Sequence, residues 1–174
     1  LKNFSLLKDI MDKLHLLENN WTLWFHNINN NDWSLNGYNK VYSFNDIETF
    51  IVLFQKINNF SAGMFFLMKE DIEPLWENTH NKLGGYWSFK VLKKNINKIW
   101  YNFSSQVIGN NCLNNCEQHK LINGISLSPK INNCIIKIWF SNIQHNINIF
   151  NIKYLEKILS GIDFNEARFV KYSK

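Results

Sequence analysis

Apolar positions in this chain alternate in short runs, and the runs are separated by stretches of helical spacing. Across residues 16–25, Leu17, Trp21 and Leu23 share one parity while Trp24 falls on the other. That pattern predicts a strand with bulk on both faces. Residues 41–44, 64–68, 87–92, 121–127, 135–139 and 167–172 predict further strands, and Trp87, Phe89 and Val91 alternate within one of them. Ile47, Phe50, Ile51, Phe54 and Ile57 mark an amphipathic helix, opened by Asn45 as N-cap with Glu48 at the third position. Ile96, Ile99, Trp100, Phe103 and Val107 mark a second helix stopped by Gly109, and Ile149, Ile152, Leu155, Ile158 and Leu159 a third ended by Gly161. Strands interleaved with helices, joined by short strand-to-strand connections, predict an α+β fold: one antiparallel sheet with helices on one face. Residues 1–14 place Phe4, Leu7, Ile10 and Leu14 at helical spacing, an amphipathic arm expected to dock on the single domain formed by 15–174.

Composition narrows the class. The chain has 174 residues, 45% hydrophobic and 16% aromatic, which describes a folded domain and not a disordered one. A net charge of +5 permits a polyanionic partner without requiring one. Three cysteines, an odd number, argue against a disulfide framework and for a reducing, cytoplasmic setting. Cys112, Cys116 and His119 lie close in sequence but lack a second ligand pair, so neither a metal nor a cofactor is expected. No run of eighteen apolar residues is present to span a membrane.

Candidate chemistry concentrates in Ile72-Glu73-Pro74-Leu75-Trp76-Glu77, followed by Asn81-Lys82-Leu83-Gly84-Gly85-Tyr86-Trp87. Pro74 restricts its own backbone and that of Glu73, and Gly84-Gly85 predicts a tight turn before a strand opening at Trp87. An indole held beside a carboxylate suits a flat ligand with a face to stack and an edge that donates protons. Guanine presents such an edge in its N1–H and N2–H2 groups, a parallel donor pair for one carboxylate. The same residues are equally compatible with a packing indole and a solvated carboxylate in a turn. A second indole, Trp33, ends a loop in which five of the six residues 27–32 are Asn or Asp, with no obvious core to join.

Taken together, several blocks in order resemble the translation initiation factor 4E family of mRNA cap-binding proteins. They are His15-Leu16-Leu17 before Trp21-Thr22-Leu23-Trp24-Phe25, Asn45 to Phe50, the Pro74–Glu77 block with Asn81-Lys82 and Gly84-Gly85-Tyr86-Trp87, Trp100, Ile108-Gly109 and Ile138-Trp139. The resemblance covers residues 15–172. It implies a curved antiparallel sheet backed by three helices on its convex face, and a non-enzymatic, monomeric protein acting in translation initiation. It implies that Trp33 and Trp76 sandwich 7-methylguanine, that Glu77 accepts the N1 and N2 protons, and that Trp139 touches the N7-methyl group. No glutamate cluster with metal-ligand spacing supports the alternative of cap hydrolysis.

The departures are specific. Where the family carries an Arg and a Lys for the cap phosphates, this chain has Lys130 and Ile135, and Tyr86 replaces a third cation. Lys137, two residues from Ile135 and hence on the same strand face, is the candidate to replace the lost contact. The family's dorsal face receives a helix from a scaffold or repressor protein. By resemblance that face comprises His15, Leu16, Leu17, Ile47, Ile51, Trp100, Tyr101 and Ile108. Here Ile51 replaces a Trp, Tyr101 and Ser105 replace Leu residues, and Asn110 replaces a Glu, so a partner with a non-standard motif is expected. Two alternatives stand beside initiation: a divergent cap-binder that represses or sequesters mRNA, and a carbohydrate-binding module with exposed Trp.

Overall fold

The computed structural model describes residues 14–113, 115–142, 162 and 164–172. Seven strands form one curved antiparallel sheet. In chain order they are β1 (Leu16–His26), β2 (Tyr38–Asp46), β3 (Met64–Lys69), β4 (Gly85–Leu92), β5 (Ile122–Pro129), β6 (Asn133–Phe140) and β7 (Arg168–Lys171). Their spatial order is β2-β1-β3-β5-β6-β4-β7. Two helices of several turns, α1 (Ile47–Lys56) and α2 (Ile96–Ile108), a single turn, α3 (Cys116–His119), and short 3-10 turns at Leu35–Gly37, Lys93–Asn95 and Phe164–Glu166 complete the described elements. The third helix expected over 149–159 and the arm expected over 1–14, apart from Leu14, lie outside the described residues.

Strand parity sorts the side chains into two layers. Trp21 and Leu23 of β1, Leu67 of β3, Phe89 of β4, Leu127 of β5 and Ile136 and Ile138 of β6 face the helices. They pack with Phe50 and Phe54 of α1 and with Ile99, Trp100 and Phe103 of α2. The opposite face holds a smaller cluster of Phe66, Met68 and Trp139, bordered by Trp24, Tyr38, Met64 and Tyr172. A sheet that is apolar on both faces explains why β3 reads as an unbroken hydrophobic run. Trp100 and Ile108, expected on the partner face, are 0% and 4% exposed and belong to the core. Their spacing on α2 points them at the sheet, so they offer no surface to a partner.

The entry of α1 differs from the expectation by one residue. Asp46 is the N-cap: its Oδ1 accepts from the Thr49 amide at 2.7 Å and its Oδ2 from the Thr49 hydroxyl at 2.9 Å. Asn45 remains in β2. Glu48 closes no capping box; it accepts from the His15 amide at 3.0 Å and approaches His15 Nδ1 at 2.6 Å. The Ile47 amide returns a bond to the His15 carbonyl at 2.9 Å, so the start of β1 is stapled to the start of α1.

The turn expected at Gly84-Gly85 is present, the Gly84 amide donating to the Asn81 carbonyl at 2.8 Å, but the two glycines have a further reason. A Cβ on Gly84 would lie 1.6 Å from the Phe140 carbonyl oxygen, and one on Gly85 would lie 2.4 Å from that of Val170. The pair is needed for close backbone approach to β6 and β7. β4 accordingly opens at Gly85, two residues before Trp87.

Candidate functional site

Trp76 and Glu77 occupy the centre of a turn in which the Asn78 amide donates to the Leu75 carbonyl at 3.2 Å. Two adjacent residues at a turn tip are free to project, and both are exposed. The turn is held from beneath by the side chain of Asn81, which is 0% exposed. Its Nδ2 donates to the carbonyls of Leu75 at 2.7 Å and Glu73 at 3.1 Å, and its Oδ1 accepts from Asn123 Nδ2 at 2.8 Å. Asn123 Nδ2 also donates to the His80 carbonyl at 2.8 Å. Asn123 lies on β5 where the register with β6 shifts between Ile122 and Gly124. A bulge of this kind re-aims a side chain out of the ladder. The Trp76-Glu77 loop is thereby tied to the sheet through two buried amides.

The second loop is built from polar local contacts. Asn27, Asn30 and Asp32 each accept, through a side-chain oxygen, from the amide two residues on, all at 2.9 Å. The Asn- and Asp-rich run is therefore a chain of Asx turns. His26, fully buried on β1, reaches across it: Nδ1 lies 2.9 Å from the Gly37 carbonyl and Nε2 lies 3.2 Å from that of Asn30. Its ring stacks on Trp33 with centroids 4.4 Å apart and planes at 24°. Trp33 has a partner after all on one face, while 54% of the residue stays exposed.

Trp33, Trp76, Glu77, Lys130, Lys137 and Trp139 line one cleft of about 330 Å³ on the face opposite α1 and α2. Every residue expected to contact a capped nucleotide is brought to this cleft. Phe66, Met64 and Tyr38 form apolar wall between them, and Ser126 and Ser128 add hydroxyls. Trp139 is only 6% exposed, and its Nε1 donates to Ser126 Oγ at 2.9 Å. That bond fixes the ring orientation across β5 and β6.

The charges in the cleft lack mutual compensation. Glu77 makes no hydrogen bond and no ion pair among the described residues. Lys130 and Lys137 have no carboxylate partner among them either. Burial, with the charge of Lys130 added, lowers the pKa of Lys137. Burial, with the charge of Glu77 added, pushes the Tyr38 phenol up to about 12. The cleft thus offers two indole faces, one acceptor carboxylate and a basic margin, arranged around an apolar floor.

Sequence reasoning left the roles of His26, Tyr38, Asn81 and Asn123 unread. Asn81 stands inside the motif that carries the resemblance, yet its work is visible only once Leu75 and Asn123 are seen beside it. His26, a polar residue closing an aromatic strand, was the available signal for a support beneath Trp33. On the opposite side of the molecule, Leu16 and Ile47 are exposed and Leu17, Ile51 and Tyr101 are half-buried. Tyr101 stacks on Phe50 at 5.4 Å, and Asn110 donates to Glu18. Cys112 is fully buried, and burial raises its thiol pKa, as suits a packing residue.

Asn81→Ala removes the side-chain amide donor from the Glu73 and Leu75 carbonyls, leaving Leu75 with the Asn78 amide alone. The expected cost is about 1–3 kcal/mol of folding stability, read from urea unfolding, together with a shift in Trp76 fluorescence. Unchanged stability and emission would show that the loop is held by other means.

The comparisons with known proteins come from sequence and from shape. The family described as eukaryotic initiation factor 4E matches residues 16–174. A mouse relative, eukaryotic translation initiation factor 4E type 1B, is 28% identical over 163 residues, covering 88% of this chain and 65% of the relative. The Dictyostelium discoideum eukaryotic translation initiation factor 4E is 31% identical over 139 residues, covering 75% of this chain and 54% of the relative. The chain thus spans between half and two-thirds of the length of these relatives. A solved complex of C. elegans eIF4E-3 with the 4E-binding protein Mextli and a cap analog superposes with a TM-score of 0.79. It is 23% identical, covers 91% of this chain and 92% of that one, and shares the fold.

Proposed function

The chain belongs to the eukaryotic initiation factor 4E family, and we propose that it binds the 7-methylguanosine cap of mRNA in the cleft between Trp33 and Trp76 and acts in translation initiation. The observation that carries this reading is the meeting of two half-exposed indoles, a carboxylate without a partner and two lysines around one cleft. Methylation at N7 gives the purine a positive charge. Two indole faces hold such a cation by stacking and cation–π attraction more strongly than they hold neutral guanine. Glu77 accepts from N1–H and N2–H2 and pairs with the purine charge. Trp139, oriented by Ser126, meets the methyl group at the back of the cleft. Lys130 and Lys137 take the phosphates as point charges, without the fork that an arginine provides. Binding of this kind involves no covalent step, and the protein acts as a ligand-binding factor and not as an enzyme.

A carbohydrate-binding module also uses exposed Trp, but it has no use for a guanine-matched carboxylate beside two unpaired lysines. Trp33→Ala and Trp76→Ala should each weaken 7-methylguanosine triphosphate binding by about 1–3 kcal/mol, the usual worth of one base on one aromatic platform. Intact affinity in a fluorescence titration of Trp33→Ala would reject the sandwich. Glu77→Ala should erase the preference for methylated guanine over methylated adenine nucleotides, and retention of that preference would reject the carboxylate readout.

For the protein partner, the reading is a scaffold or repressor helix docked near Leu16, Leu17, Ile47, Ile51 and Tyr101. Ile51 supplies packing area but no indole N–H, and one lost interfacial hydrogen bond costs about 0.5–1.5 kcal/mol. A standard Tyr-containing partner peptide should therefore bind weakly and gain affinity with Ile51→Trp in calorimetry. Tight binding by the unaltered chain, with no gain from the Trp, would contradict this. Weak scaffold recruitment is also what favours the second reading, a cap-binder that sequesters mRNA.

A further inference from the structure

Tyr86 stands where a third cation is expected, and the proposed cap chemistry gives it no task. It lies on β4 directly opposite Trp139 of β6, one diagonal step from Lys137. The Lys137 Nζ sits 4.0 Å from the centroid of the Tyr86 ring. On the two strands flanking it, Lys137 faces Ser126 and Ser88. Both hydroxyls are engaged elsewhere: Ser126 Oγ accepts from Trp139 Nε1, and Ser88 Oγ donates to the Arg168 carbonyl. No carboxylate pairs with Lys137 among the described residues, so the ring face is its one compensating contact there. The ring is itself braced. Tyr86 packs on Tyr172 at 5.6 Å, and Tyr172 on Trp139 at 5.7 Å.

We propose that Tyr86 is the positioning residue for Lys137: its ring face holds the ammonium at the cleft wall, so that phosphate recognition in this chain depends on an uncharged aromatic residue. The inference rests on the reading of the cleft as a cap site. A half-buried lysine beside a second lysine is otherwise driven towards solvent by repulsion and desolvation. A π face lowers the cost of keeping the charge in place without neutralising it, which a carboxylate would do. The ammonium then remains available to an incoming phosphate. A lysine relocated by two residues and an aromatic residue in place of a cation together restore one arm of the phosphate clamp.

The test separates this arm from the rest of the site. Affinities for 7-methylguanosine and for 7-methylguanosine triphosphate are measured, and their ratio is the gain from phosphate. Lys137→Ala and Tyr86→Leu should each lower that ratio about three- to tenfold, in line with the strength of a partly desolvated cation–π contact. Tyr86→Phe and Tyr86→Trp keep the ring face and should keep the ratio. A lowered ratio in Lys137→Ala with an unchanged or raised ratio in Tyr86→Leu overturns the role of Tyr86 and leaves the cap site standing. An unchanged ratio in Lys137→Ala removes the arm altogether. Failure of the unaltered protein to bind the methylated nucleoside overturns the site reading, and the inference falls with it.

Discussion

The buried side chain of Asn81 is the contact on which the cleft depends. A turn that projects two adjacent residues has little of its own to hold it, because its side chains point outward. Asn81 supplies what is missing from beneath, donating to two carbonyls of the loop and accepting from Asn123 on the sheet. An amide is suited to this place because it donates and accepts in one plane and carries no charge to desolvate. The bulge in β5 that frees Asn123 from the ladder is part of the same device. The sheet's own irregularity thus sets the position of Trp76 and Glu77.

The rest of the cleft is organised by a succession of ring contacts running beneath it. Trp33 stacks on His26, and His26 leans on Tyr38 at 4.7 Å. Tyr38 meets Phe66 edge-on at 5.3 Å, and Phe66 meets Trp139 edge-on at 6.2 Å. Trp139, Tyr172, Tyr86 and finally Lys137 continue the succession. Aromatic neighbours of this kind fill space with few rotatable bonds, so they pre-organise the groups at either end. They also half-bury Lys137, while Glu77 and Lys130 stay exposed to solvent. Burial accordingly raises the pKa of Tyr38 and lowers that of Lys137.

Much of this was legible in the chain because apolar parity and helical spacing report directly on burial. The strands around Trp21, Phe66, Phe89 and Ile136 and the two helices at Phe50 and Phe103 were readable from periodicity alone. Trp76 and Glu77 stood out as a pair matched to a guanine edge and Trp33 as an indole with no obvious core, but their grouping with Trp139, Lys130 and Lys137 in one candidate site rested on the resemblance, since nothing in their spacing says that they share a cleft. What stayed hidden was long-range support. The bond from Asn81 to Asn123 spans 42 residues, and that from His26 to Gly37 depends on how an Asx-rich loop folds back. Trp100 and Ile108 were misplaced for the converse reason: a family motif marks a helix as near a partner without saying which of its faces is buried. The turn expected at Gly84-Gly85 is present, with the Gly84 amide donating to the Asn81 carbonyl, but the further need for glycine there is set by carbonyls of strands far away in sequence.

On the proposed reading, the cleft recognises the charge that N7-methylation places on guanine. The most direct test of that reading is a quenching titration of the intrinsic tryptophan fluorescence with 7-methylguanosine triphosphate and, separately, with unmethylated guanosine triphosphate. The two ligands share the guanine edge proposed for Glu77 and the phosphates proposed for the lysines, so any difference reports on the charge and the methyl group at the proposed stack. At least about tenfold tighter binding of the methylated nucleotide is expected, the result of adding cation–π attraction to the stack. Equal affinity for the two nucleotides would contradict it.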